Sequence, residues 1–166
     1  MKARKIARLA LLTTIALIIF IIELQIPNII PIPGVKLGLA NIVTVYAVYK
    51  YSAKETAAIA VTRVILGSIF VGNITAIIYS MSGALLCLAG MLMIKKIVPL
   101  NFIWLSSILG AILHNTGQII AAVIIMRSFA VASVYPFLLV SGCIAGAFTG
   151  LCAQFLIKRG SLEKMD

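Results

Sequence analysis

The residues most able to do chemistry in this chain are a small set of polar side chains embedded in apolar sequence. His114, Asn115 and Gln118 lie in the run Gly110-Ala-Ile-Leu-His-Asn-Thr-Gly-Gln118. On a helix, 114 and 118 are one turn apart, and 115 and 118 are neighbours at i, i+3. Three such hydrogen-bonding groups cannot sit against hydrocarbon without partners, so they either line a polar pocket or bond across a helix interface. Arg63 stands near the middle of another apolar run, and a charge at membrane depth costs roughly 2.5–3.5 kcal/mol on insertion scales. It acts either as a clamp for an anionic or polar ligand or as the structural partner of Glu23, the only acidic residue inside an apolar run. Lys36 lies in the proline- and glycine-rich stretch Pro31-Ile-Pro-Gly-Val-Lys-Leu-Gly-Leu-Ala-Asn41. It either faces a site from above or snorkels to headgroups. Asn41 closes that stretch, and Asn73, Tyr46, Tyr79 and Ser82 are weaker candidates for orienting a ligand.

Equally informative is what is missing. There is no Gly-x4-Gly-Lys-[Ser/Thr] phosphate loop, and the single aspartate is Asp166. No carboxylate cluster exists to hold magnesium, and the one histidine lacks a nearby nucleophile or acid for a triad. Cys87, Cys143 and Cys152 sit inside apolar runs without metal-ligand spacing and read as packing residues. The expectation is a non-enzyme with no cofactor and no metal.

The elements that position these groups must be membrane helices. Of 166 residues, 63% are hydrophobic and 11% charged, with a mean hydropathy of +1.18, against roughly 45–50% and 25% in soluble domains. The apolar runs predict an all-α integral membrane protein of one domain, with six transmembrane helices at about 7–26, 37–49, 56–71, 76–94, 102–126 and 136–157. The first run follows basic residues as a signal peptide does, but it is near the length of a full span and lacks a cleavage signature, so it reads as a retained helix. The broken stretch between the first two spans is the organising irregularity, because prolines and glycines interrupt helix there. Such backbone beside a span is tolerated where it is buried or lines a cavity. The second span is short, a feature that marks binding sites in transporters.

Charge orients the bundle. With the N-terminus inside, the inner segments hold Lys2, Arg4, Lys5, Arg8, Lys50, Lys54, Lys95, Lys96, Lys158, Arg159 and Lys164, while the outer ones hold Lys36 and Arg127. The positive-inside rule then gives cytoplasmic N- and C-termini in a plasma membrane, with the broken loop on the outer face. Basic residues grouped between apolar runs, not along one face, exclude nucleic acid as the partner of this +10 chain. Two small-residue patterns remain. Gly142, Gly146 and Gly150 form a ridge for close helix packing, within the chain or between copies. Ala3, Ala7, Ala10 and Thr14 make a stripe on the first span that suits a partner helix or internal packing.

The basic start with its Ala-rich first span, the Pro33-Gly-Val-Lys-Leu-Gly-Leu-Ala-Asn-Ile-Val43 stretch, Arg63-x3-Gly67 and His114-Asn-x-Gly-Gln118 resemble the Gx-type transporter family, whose members are labelled heptaprenyl diphosphate synthase component I. That family is in turn similar to the substrate-binding S-components of energy-coupling-factor importers, which have six spans and an outward ligand pocket. The resemblance implies an S-component-like bundle that captures a vitamin, cofactor or phosphorylated precursor, with Lys36, Asn41, Arg63, His114, Asn115 and Gln118 as its site. The positive balance of these residues favours an anionic or amphipathic small molecule. It also implies a transmembrane coupling protein, driven by two ATPases, docking on Ala3, Ala7 and Ala10. The alternative is a non-catalytic membrane accessory subunit associated with polyprenyl diphosphate or quinone synthesis.

Overall fold

A computed structural model describes residues 2–25, 38–72 and 74–162. Its α-helices are α1 (Lys2–Gln25), α2 (Asn41–Lys50), α3 (Ala53–Val71), α4 (Ile74–Ile94), α5 (Ile103–Met126) and α6 (Tyr135–Leu162). Single 3-10 helices, Leu100–Phe102 and Phe129–Val134, precede α5 and α6. Among the described residues there is no strand. Helices α1, α4, α5 and α6 are long and apolar enough to cross a membrane. At 10 residues, α2 rises only about 15 Å, half a bilayer core. The 19-residue α3 carries Lys54, Glu55 and Arg63.

The boundaries differ from the apolar runs for local reasons. The second helix begins at Asn41, not 37, because Gly38 takes a left-handed φ of 78° and starts the turn that leads into α2. The third begins at Ala53, because Glu55 reaches back to the Ser52 N–H at 3.0 Å and closes a capping box ahead of the hydrophobic stretch. Gly72, also left-handed with φ 68°, ends α3. The sixth continues beyond Ile157 to Leu162, with Arg159 in its last turn where a cation complements the helix dipole. Most of the broken stretch, including Pro31, Pro33, Gly34 and Lys36, lies outside the described residues, as does Asn73.

Successive helices alternate in direction. Lys5 at the start of α1 pairs with Glu55 at the start of α3. Lys95 Nζ, beyond α4, donates to the Val48 carbonyl near the end of α2 at 2.5 Å. Tyr49 Oη donates to Ser106 Oγ of α5 at 2.7 Å. Val45, Val48, Met91, Ile103 and Ile157 fill the core at this same end. Arg4, Lys5, Arg8, Lys50, Lys54, Lys95, Lys96, Lys158 and Arg159 therefore all gather at one end of the bundle. Arg127 is the basic residue at the other among the described residues.

The densest packing is of α5 between α4 and α6, and small residues permit it. A Cβ on Gly117 would lie 2.7 Å from the Ser82 carbonyl and 2.9 Å from Gly83 Cα of α4. A Cβ on Gly146 would lie 2.9 Å from Ile108 Cα, and one on Gly150 2.5 Å from Trp104 Cα. The Gly142/Gly146/Gly150 ridge is thus an internal seam against α5. Ser107 and Thr149 hydrogen-bond across it at 3.1 Å. Helix α1 is peripheral: Thr13, Ala16 and Glu23 are buried, while Ala3, Ala7, Ala10 and Thr14 face outward. Cys87 is buried in the core, and all three cysteines are free.

Candidate functional site

In the half of the bundle away from the basic end, four helices converge on a polar cavity. It is lined by Phe20 and Glu23 of α1, Gly38, Arg63, Val64 and Ser68 of α3, Ser80 of α4, and His114 and Gln118 of α5. Helical register explains the grouping. Positions 63, 64, 67 and 68 share one face of α3, and 114 and 118 share one face of α5. Gly67 lets α1 approach, since a Cβ there would meet the Phe20 ring at 2.8 Å. Gly83 does the same for α5, because a Cβ would lie 2.8 Å from the His114 carbonyl and 2.9 Å from Gln118 Cγ.

The charged and hydrogen-bonding groups here are removed from solvent. Arg63 is 6% exposed, Glu23 4%, His114 5% and Gln118 2%. Glu23 supplies the opposite charge that acts on Arg63. Burying opposite charges this deeply is costly unless their hydrogen bonds are met. One Glu23 oxygen meets its need by accepting the Gly38 backbone N–H at 2.6 Å. Among the described residues, Arg63 Nε and His114 Nδ1 have no hydrogen-bond partner. The enclosed space is about 30 Å³, room for one or two water molecules. A guanidinium, an imidazole, an amide and two hydroxyls around such a space suit a carboxylate or phosphate oxygen, or the polar edge of a ring. Among the described residues no group of His, Cys, Asp and Glu side chains could hold a metal ion.

The expected site residues divide. Arg63, His114 and Gln118 come together at the cavity. Asn41 is buried beside it, with its Nδ2 2.9 Å from where a Gly38 Cβ would be, but it does not line the space. Asn115 points to α6, donating to the Leu138 carbonyl at 2.7 Å. It does there the interhelical bonding that sequence alone left open for the whole triplet. Lys36 lies outside the described residues. Tyr79 packs in the core with Ala121 and Ala122, and Ser82 Oγ donates to the Gly117 carbonyl at 2.8 Å. Sequence reading passed over Ser68 and Ser80. Ser68 follows Arg63 by five residues beside the small Gly67, and that shared face was the available signal.

A family model described as heptaprenyl diphosphate synthase component I matches residues 12–156. No curated protein and no solved structure matches.

Proposed function

The chain belongs to the heptaprenyl diphosphate synthase component I family, and we propose that it serves there as a substrate-binding membrane subunit of an importer of energy-coupling-factor type. The observation that carries this reading is the cavity formed by Arg63, Glu23, His114 and Gln118, away from the basic end. A buried cation whose Nε lacks a partner among the described residues is expensive for the fold alone and gives an anionic group something to bind. By the positive-inside rule the basic end is cytoplasmic, so the cavity lies in the outer half of a six-span bundle with both termini inside. The ligand is a small anionic or amphipathic molecule, such as a vitamin, cofactor or phosphorylated precursor, of which a space of about 30 Å³ takes only one oxyanion or polar edge. Asn41 and Lys36 remain candidates to complete its site. The outward Ala3, Ala7 and Ala10 stripe would then meet a coupling protein and its ATPases.

Native mass spectrometry of the protein gently extracted from its own membranes tests this. The expected result is a retained small anionic molecule that is lost from Arg63→Ala and His114→Ala proteins. Retention unchanged in both variants would sink the assignment of this cavity.

A second reading is favoured by the family's description: a non-catalytic membrane accessory subunit tied to polyprenyl diphosphate synthesis, with the basic end holding an acidic partner. Co-purification separates the two. ATPases with a coupling protein support the importer, whereas a prenyl synthase with no small molecule retained supports the accessory subunit.

A further inference from the structure

The size of the polar cavity limits which part of a ligand can enter it. An oxygen-sized occupant needs roughly 10–15 Å³, so the space of about 30 Å³ takes two of them. Three terminal oxygens with a phosphorus overfill it. The walls are already in contact on both sides. An added Cβ at Gly67 would meet the Phe20 ring at 2.8 Å, which sets α1 directly against α3. One at Gly83 would meet the His114 carbonyl oxygen at 2.8 Å, which sets α4 directly against α5. Helix interfaces packed this closely resist swelling to admit a larger group.

Charge narrows the choice in the same direction. Among the described residues no carboxylate oxygen lies within 4 Å of the Arg63 nitrogens, and Arg63 Nε has no hydrogen-bond partner. The planar guanidinium fork matches the two coplanar oxygens of a carboxylate. His114, whose Nδ1 is likewise without a partner among the described residues, lines the same space. A carboxylate brings one negative charge to one buried cation. A phosphate monoester brings about −1.5 to −2 at pH 7, so part of its charge would be buried without compensation. Glu23, which also lines the cavity, would repel it further. We propose that the cavity takes a carboxylate of its ligand, held by the Arg63 guanidinium, and excludes a phosphate group from that position, so that the ligand class is a small carboxylic acid. This rests on the cavity being the ligand site, as proposed above, and names the group that enters it.

The test uses the full chain in phosphatidylcholine nanodiscs, with formate as the probe. Saturation transfer to the formate C–H proton is the readout, measured against empty nanodiscs. Formate should bind the wild-type chain and acetate should displace it, whereas inorganic phosphate at equal concentration and ionic strength should not. Arg63→Gln should weaken formate binding at least about tenfold, the contribution of one charge-assisted hydrogen bond. Glu23→Gln keeps an acceptor for the Gly38 N–H and removes the neighbouring negative charge. It should bind formate more tightly, a gain that misfolding does not imitate. Displacement by phosphate as strong as by acetate would overturn the carboxylate assignment and leave the cavity an anion site, with the importer reading intact. Formate bound equally by the wild-type and Arg63→Gln chains would overturn it too. So would no formate signal from a chain whose retained native molecule is still lost on Arg63→Ala. No formate signal together with no retained molecule would take the importer reading down as well.

Discussion

Glu23, near the end of α1, accepts the backbone N–H of Gly38 at 2.6 Å across fifteen residues of chain. The bond ties the entry of α2 to the last turns of α1, and it does so at the wall of the cavity that holds Arg63. A charge-assisted bond to a buried carboxylate contributes about 1.5–3 kcal/mol. Glu23→Ala is therefore expected to destabilise the protein by about that much. Glu23→Gln, which keeps an acceptor oxygen, should recover part of the loss. Thermal unfolding in detergent, compared across the two variants, checks the order.

Arg63 and Glu23 should behave as a coupled pair. Arg63→Met removes the guanidinium that shares the cavity with Glu23, a change expected to cost about 3–5 kcal/mol. Adding Glu23→Gln to Arg63→Met should cost less than the sum of the two single changes. A double-mutant cycle on unfolding midpoints gives the coupling directly, and strict additivity would refute the pairing.

Asn115 and Gln118 should separate binding from stability. Asn115→Ala takes away the donor to the Leu138 carbonyl and is expected to lower stability by about 1–2 kcal/mol, with ligand retention intact at the surviving temperature. Gln118→Ala should weaken retention of the native ligand more than it lowers the unfolding midpoint. Native mass spectrometry and thermal unfolding of the same preparations read both effects.

The glycines on α5 and α6 offer a steric test. Gly117→Ala drives a methyl toward the Ser82 carbonyl and Gly83 Cα, backbone atoms that cannot rotate away, and should cost about 1–3 kcal/mol. At Gly160 no atom of the described residues lies within 4 Å of an added Cβ. Gly160→Ala should be neutral or gain up to about 0.5–1 kcal/mol through helix propensity. Unfolding midpoints of the two variants are expected to move in opposite directions, or only the first to move.

Glu55 supplies a pH prediction outside the membrane core. The Lys5 ammonium, with the Ser52 N–H, holds its carboxyl down from 4.5 to about 2. A depressed carboxylate contributes stability above its ordinary value and loses that contribution as pH falls through the folded-state value. Between pH 8 and 5 this group should leave stability unchanged, with loss setting in below about 4.5. Lys5→Ala should raise the Glu55 pKa toward its ordinary range, measurable by carboxyl NMR titration.

Much of this architecture was legible before any coordinates. Apolar runs long enough for a bilayer reveal themselves by composition, because lipid is the only solvent that accepts them. The grouping of basic residues between runs foretold the single basic end, since alternating helices return every second connection to the same side. Arg63, His114 and Gln118 announced themselves as polar groups too costly to face lipid, and their helical spacing placed 114 and 118 together.

What only the tertiary structure decided was which way each polar group turns and which helices meet. Asn115 is one residue from His114, yet 100° of helix rotation sends it to α6 and its neighbour to the cavity. Glu23 reaches Gly38 and the space around Arg63 only because Gly67 admits Phe20 and brings α1 against α3. Periodicity within one helix records its buried face, but not the neighbour that will cover it.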